Sequence, residues 1–420
     1  MHNNLFIPDI VTQHAEEAAF LWLLRNAAVY QPHYNLEDLV ELDERINAHL
    51  DGLRIAGDAG WEIAQEALSW QEPGEIFTAA VLAFETLQTE RWQAILEASM
   101  GQPELSRAII SALGWHSIDK IASPINQFLD SNEAEQQYLG IAALAIHRVN
   151  PGYRLDKVLV DEHLQLRTRA LRAAGELGRQ DLLPKILQQI QADDEAARFW
   201  AAWSATLLGD RNQALETLKP LSLLLPTPLN ICALHVLLRS LDVENATDWL
   251  RVIAQDQKRL RYLIIGMGII GDPIHIPWLI TQMENSEVAR IAGETFTFIT
   301  GANLDDEDLE GEKPAGFEAG PTENPEDESV DLDTDEDLPW PNPALIHTWW
   351  QKHQAQYHSQ TRYLMGKPIT AQHCQHILTT GLQRQRSAAA LELALMQPSA
   401  PLFETRAPGL QQQQQLTKPV

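Results

Sequence analysis

From about Asp51 to Gly301 the chain is dominated by Ala, Leu and Ile that recur at helical spacing. In LRTRALRAAGELGRQDLLPKILQQI (166–190), Leu166, Ala170, Ala173, Ala174 and Leu177 fall on one stripe of a 3.6-residue helix, which Gly178 ends. A second stripe follows at Leu182, Leu183, Ile186, Leu187 and Ile190. The spacing predicts two short helices joined by a tight turn. The unit recurs in 197–221, 232–253 and 261–283, with breaks at Gly209, near Asp242 and at Gly271-Asp272-Pro273. The breaks at Gly178, Gly209, Asp242, Gly271 and Gly301 lie 31, 33, 29 and 30 residues apart, and weaker ones at Gly114 and near His147 roughly keep the interval. A helical pair repeated about every 30 residues predicts an all-α protein, an α-solenoid in which each unit buries its face only against its neighbours.

The flanks keep helical patterning but lose the repeat. Residues 1–50 predict an N-terminal helical cap. Its first helix carries apolar Ala19, Leu23, Leu24, Ala27 and Ala28 and is capped by Thr12. The second is capped by Asn35, with acids in its first turn. The repeat region is 51–301, followed by an acidic flexible insertion at 302–338 and C-terminal helices at 339–398. Asn342 with Pro343 starts one of these helices, Thr370 starts another, and the chain breaks near Gly381. Residues 399–420, ending in a glutamine run, read as a low-complexity tail that frays.

The repeated pattern L-G-D/R-x-x-A/L-x-x-x-L, with Ala and Gly in the first helix, resembles HEAT repeats of the short bacterial PBS-lyase type over roughly 75–301. The resemblance implies a HEAT-like solenoid and carries no chemistry with it. Small residues let the two helices of a unit approach closely.

At 420 residues the chain exceeds one ordinary compact core, in keeping with a repeat array. Two cysteines, Cys232 and Cys374, form no disulfide framework and suit a reducing cytoplasm. No run of about 18 apolar residues and no secretory leader pattern is seen, so neither a membrane partner nor export is expected. The net charge of −27 argues against a nucleic-acid partner, because phosphate binding needs lysine and arginine. It suits a basic protein partner. Between Leu304 and Asp337 there are 16 acids against the single Lys313, a net of −15.

Candidate chemistry is thin. No histidine is followed by glutamate, which excludes the His-Glu ligand pairs of a di-iron HEAT enzyme. His347, His353, His358, His373, Cys374 and His376 cluster in sequence, but no two ligand pairs have zinc spacing. Cys374 lacks a positioned base, and Cys232 sits on an apolar stripe, so both read as buried or inert thiols. DLDTDED (331–337) begins like a calcium loop but has Glu336 where glycine is needed and Asn342 where glutamate is needed. GMGIIG (266–271) follows a helical segment rather than a strand, so helix packing and a turn account for it. No catalytic, cofactor or metal residues are assigned, and the chain reads as a non-enzyme. The candidate protein-binding residues are the acids Asp331, Asp333, Asp335 and Asp337 with Trp340, Trp349 and Trp350, since aromatics beside acids can anchor a basic partner. Packing is the favoured role for Trp340.

LPWPNPALIHTWW (338–350), GKPITAQHCQHIL (366–378) and GLQRQRSAAALELAL (381–395), after a repeat region and an acidic insertion, resemble a group of bacterial HEAT-repeat proteins often encoded beside type VI secretion genes. The resemblance implies a cytoplasmic accessory protein, an adaptor or chaperone for an effector or spike protein with a basic surface. An immunity protein against a basic toxic effector is the alternative, and a lyase-type enzyme a remote one.

Overall fold

Several helix ends follow from the residues that stand there. A computed structural model describes residues 7–86, 88–223, 228–320 and 332–417. Asn35 accepts from the Glu37 and Asp38 amides while the Asp38 carboxylate accepts from the Asn35 amide, a reciprocal capping box. Asp242, Asn342 and Thr370 cap their helices one-sidedly, each side chain accepting one first-turn amide. Gly178, Gly271 and Gly301 end helical segments at positive φ (64°, 73° and 72°). At Gly271 a side chain is impossible on a second ground, because a Cβ would lie 2.1 Å from the Tyr363 carbonyl oxygen. The described residues are all-helical apart from one short hairpin.

The chain forms two units. Unit 1 runs to Gly209 and takes up the chain again at Leu382–Arg384 and from Gln397. It contains α1 (Pro8–Ala28), α2 (Leu36–Ala56), α3 (Asp58–Ala67), α4 (Pro73–Phe84), α5 (Thr89–Ala98) and α6 (Ser106–Trp115). It continues with α7 (Ala122–Asp130), α8 (Ala134–Ile146), α9 (Tyr153–Val158), α10 (Leu164–Glu176), α11 (Leu183–Gln189) and α12 (Glu195–Leu207). The even-numbered helices α4, α6, α8, α10 and α12 each stack on the next, while α7, α9 and α11 each pack on the helix that follows. Small residues set the spacing: a Cβ on Gly175 of α10 would lie 2.8 Å from Cα of Ser204 on α12. Leu166, Ala170, Ala173, Ala174 and Leu177 are all buried, as the stripe predicts. The core of α1–α8 is aromatic at its centre, where Trp22 stacks on Phe77 at 5.0 Å.

Unit 2 covers Asp210–Gly381 and Gln385–Met396. Its helices are α13 (Gln213–Leu221), α14 (Pro228–Ser240), α15 (Val243–Ile253), α16 (Leu260–Ile270), α17 (Ile276–Gln282), α18 (Ala289–Thr300), α19 (Pro343–His353), α20 (Ala371–Thr380) and the body of α21 (Gln383–Met396). α14, α16 and α18 stack in turn, and α13, α15 and α17 each pack on the next helix. The antiparallel pair β1 (Tyr363–Leu364) and β2 (Lys367–Pro368) was not foreseen from the sequence. Its role is to satisfy carbonyls left open at helix ends. The Tyr363 amide donates to the Gly271 carbonyl (2.9 Å) after α16, and the Met365 amide donates to the Phe298 carbonyl (2.7 Å) in the last turn of α18.

Three expectations change. α1 begins at Pro8, so Thr12 lies inside the helix and caps nothing. The tail does not fray within its described part: it forms α22 (Gly409–Leu416) in unit 1, packed on α2, with Glu404 and Gln412 buried. The Leu402 amide donates to the Glu176 carbonyl at the end of α10 (2.9 Å), the same kind of end-capping the hairpin provides. Finally, both described ends of the acidic insertion are packed. Leu304, Leu309 and Leu338 are buried, and the chain on either side pairs through the Gly311 amide to the Trp340 carbonyl (2.7 Å) and the Asn342 amide to the Leu309 carbonyl (2.8 Å).

Candidate functional site

The acids and tryptophans singled out in the sequence gather in unit 2, and the structure ties them to their own chain. Arg261 forks onto Asp335 through both oxygens at 2.6 and 2.5 Å, and Asp335 is buried. Arg290 holds both oxygens of Asp333 at 2.9 and 2.7 Å and donates to the Asp335 carbonyl at 2.7 Å. Its guanidinium also lies over the Trp340 ring, 4.7 Å from the centroid, with Phe317 edge-on to that ring. Bidentate arginine–carboxylate pairs of this kind are strong and fixed in direction. Burial raises the Asp333 carboxyl, but hydrogen bonds and charge from Arg290 outweigh it and hold the group below its usual value. Trp350 is buried against Tyr357, while Trp349 packs edge-on to Phe296 and donates to Glu307. The docking role expected for Asp333 and Asp335 is therefore replaced by an internal one, since arginines already occupy both carboxylates. Packing accounts for Trp349 and Trp350 as it does for Trp340. Asp337 is exposed, and Asp331 lies outside the described residues.

Of the histidine and cysteine candidates, His373 and Cys374 are buried, whereas His347, His358 and His376 are exposed. His373 is buried with its Nε2 at 2.7 Å from the Leu364 carbonyl, and among the described residues no group of three or more His, Cys, Asp or Glu could hold a metal ion. Burial and then the Glu392 charge push the Cys374 thiol up to about 11, so it carries almost no thiolate at neutral pH. Cys232, expected on a buried stripe, is exposed. Gly266 of GMGIIG lies inside α16, where a Cβ would meet Leu250 at 2.6 Å; close helix packing explains it.

What the sequence did not single out is the surface of unit 1 around α1. AEEAAFLWLLRNAA is apolar on both sides of the helix, and only one side has a core to enter. Val11, Ala15, Ala18, Trp22 and Ala28 are buried. Ala19 is buried with them, whereas Leu23, Leu24 and Ala27, grouped with it in the sequence reading, face solvent. Phe20 is 63% exposed, Leu23 41% and Leu24 37%, and at positions i, i+3 and i+4 they form one continuous patch. Terminal repeats normally turn a polar face outward to stay soluble, so an apolar outer face needs another reason.

Beside this patch is a pocket of about 260 Å³ among α1, α3 and α4, lined by Thr12, Glu16, Ile63, Glu66, Trp70 and Glu75 among others. Glu16 lies two turns before Leu23 on the same side of α1. No lysine or arginine lines the pocket. Glu75 Oε2 is shielded from solvent and has no hydrogen-bond partner among the described residues. Burial, then the charges of Glu72 and Glu16, raise the Glu75 carboxyl above its ordinary value. Trp70, 58% exposed, offers an aromatic wall. Carboxylates and an exposed indole around a slot of this size suit the guanidinium or ammonium of a long basic side chain. A sequence signal for the patch existed in the two-sided apolarity of α1. None existed for the pocket, which joins three helices.

Searches of family models and of curated proteins both return no match.

Proposed function

We propose that the protein is a non-enzymatic scaffold that binds another protein through the outer face of α1 and the adjoining acidic pocket. The observation that carries this reading is the pairing of an uncovered apolar stripe (Phe20, Leu23, Leu24) with a pocket of uncompensated carboxylates. The fitting partner presents an apolar surface flanked by a lysine or arginine. The stacked helical pairs support reading the scaffold as a HEAT-like α-solenoid. The resemblance of 338–350, 366–378 and 381–395 points to an accessory role in type VI secretion, with an effector or spike protein as partner. The pocket's demand for a basic side chain agrees with the basic partner surface expected from overall charge.

The test is co-purification from a host carrying the secretion genes, followed by the same capture with Phe20→Glu. The substitution lies on an exposed face and leaves the fold within about 0.5 kcal/mol. Capture of a secretion component that Phe20→Glu abolishes is the expected result. A partner retained in full by Phe20→Glu overturns the α1 surface, and failure to capture any secretion component overturns the secretion role.

A further inference from the structure

Unit 1 holds a second concentration of charge, of the opposite sign. Arg25, Arg107, Arg148, Arg169, Arg172 and Arg406 lie in one interacting group with Asp43, Glu176 and Glu404. Six guanidiniums against three carboxylates leave a surplus of three, in a chain whose net charge is −27.

The pairings show where the surplus sits. Arg25 is fully engaged: it pairs with Asp43 at 2.9 Å and donates to the carbonyls of Arg406 and Ala407. Glu404 takes Arg406 at 2.7 and 2.9 Å and Arg148 at 3.4 Å. Glu176 takes Arg169 at 2.9 Å and Arg172 at 2.8 Å. Arg107 has no carboxylate partner among the described residues; its Nε and one terminal nitrogen donate to Asn26 Oδ1 at 3.1 and 2.9 Å. It also stands in the first turn of α6, where the helix dipole is positive and a cation is disfavoured. Burial, then the nearby Arg406 charge, lower its pKa against the opposing charges of Tyr30 and Glu404.

Three of the arginines, Arg25, Arg107 and Arg406, meet with Glu404 at a small cavity of about 50 Å³, which Ser111 and Trp115 also line. The Tyr30 hydroxyl feels the charges of Arg406, Arg107 and Arg172. Burial raises that phenol, yet the three guanidiniums together bring it below its usual value.

We propose that the cavity bounded by Arg25, Arg107 and Arg406 binds a phosphate group, either free phosphate or a phosphate monoester. A tetrahedral dianion offers oxygens to cations arriving from α1, α6 and the tail. A carboxylate, planar and singly charged, would satisfy fewer of them. The room for a few water molecules is sufficient for one phosphate. Trp115 and Ser111 then border the ester side. The tail completes the site, since it supplies Arg406 and the glutamate that holds it.

The test uses the full chain in phosphate-free buffer at constant ionic strength. Inorganic phosphate, phenyl phosphate and acetate are titrated in turn, followed by phosphorus NMR and, for all three anions, calorimetry. Saturable binding of phosphate is expected, weakened about tenfold or more by Arg107→Gln with the melting temperature unchanged. Tighter binding of phenyl phosphate than of phosphate assigns the site to a monoester, and the reverse assigns it to the free ion. If Arg107→Gln does not fold, Arg107→Lys takes its place, because it keeps the charge but loses the planar fork. Absence of saturable binding, acetate binding as well as phosphate, or unaltered affinity in the folded variant overturns the proposal.

Discussion

Two acid-rich places in this protein behave in opposite ways. In unit 2, Asp333 and Asp335 sit in the densest run of carboxylates in the chain, yet arginines neutralise both of them. In unit 1, Glu16, Glu66 and Glu75 are scattered over sixty residues of unremarkable composition, yet they share a pocket that no cation lines. Density of acids along a sequence measures local charge. Whether that charge is free to attract a partner depends on which helices bring arginine to it. Arg261 and Arg290 come from α16 and α18, more than forty residues before the acids they hold.

The contrast can be broken at the arginine first. Arg290→Ala removes the Asp333 pair, the bond to the Asp335 carbonyl and the cation over Trp340, leaving a partly buried carboxylate alone. A loss of about 3 kcal/mol is expected in urea unfolding, and a variant of wild-type stability would show that the clasp is not structural. Glu75→Gln should act with the opposite sign. Removing a shielded carboxylate oxygen that has no partner is expected to stabilise by about 1 kcal/mol while weakening partner capture. Destabilisation would mean that Glu75 has a stabilising counter-charge, and the acidic pocket would lose its claim.

pH separates the two places without any mutation of the clasp. A carboxyl raised in the folded state destabilises increasingly as pH rises through its folded value, so the advantage of Glu75→Gln over wild type should shrink on acidification. A carboxyl held low works the other way. Asp333 stabilises fully above its unfolded value near 3.8 and loses that contribution as pH falls through its lower folded value. Glu176, brought down to about 2 against burial by Arg169 and Arg172, loses its contribution between pH 4.5 and about 2. Urea midpoints from pH 7 to pH 3 for wild type and Glu75→Gln should therefore converge while both decline. The smallest effect is expected at Glu336, exposed beside the clasp. Glu336→Gln should change stability by under about 0.5 kcal/mol, and a larger change would extend the clasp beyond its two aspartates.

Much of the fold was legible in the chain. The stripe ending at Gly178, the breaks near Asp242 and at Gly271, and the caps at Asn35, Asn342 and Thr370 are local signals, each requiring only a few neighbouring residues. The tail and the acidic segment misled for one shared reason. A glutamine run and an acid run have no apolar period of their own, and the described parts of both are held by groups far away in sequence. Gln412 donates to the Thr405 and Ala407 carbonyls, and Gly409 reaches Asp43 across more than 360 residues.

Helix periodicity, end signals and the surplus of acids are properties of short stretches or of simple counts, so the chain alone fixes them. Which side of α1 is buried is not such a property, because Leu23 and Ala19 are both apolar and only the position of α2 and α4 separates them. The same holds for charge: a carboxylate is neutralised or left open by whichever helix packs across from it. Tertiary structure alone decided that Asp335 is a structural residue, that Glu75 faces an open pocket, and that Arg107 donates to an asparagine rather than pairing with a carboxylate among the described residues.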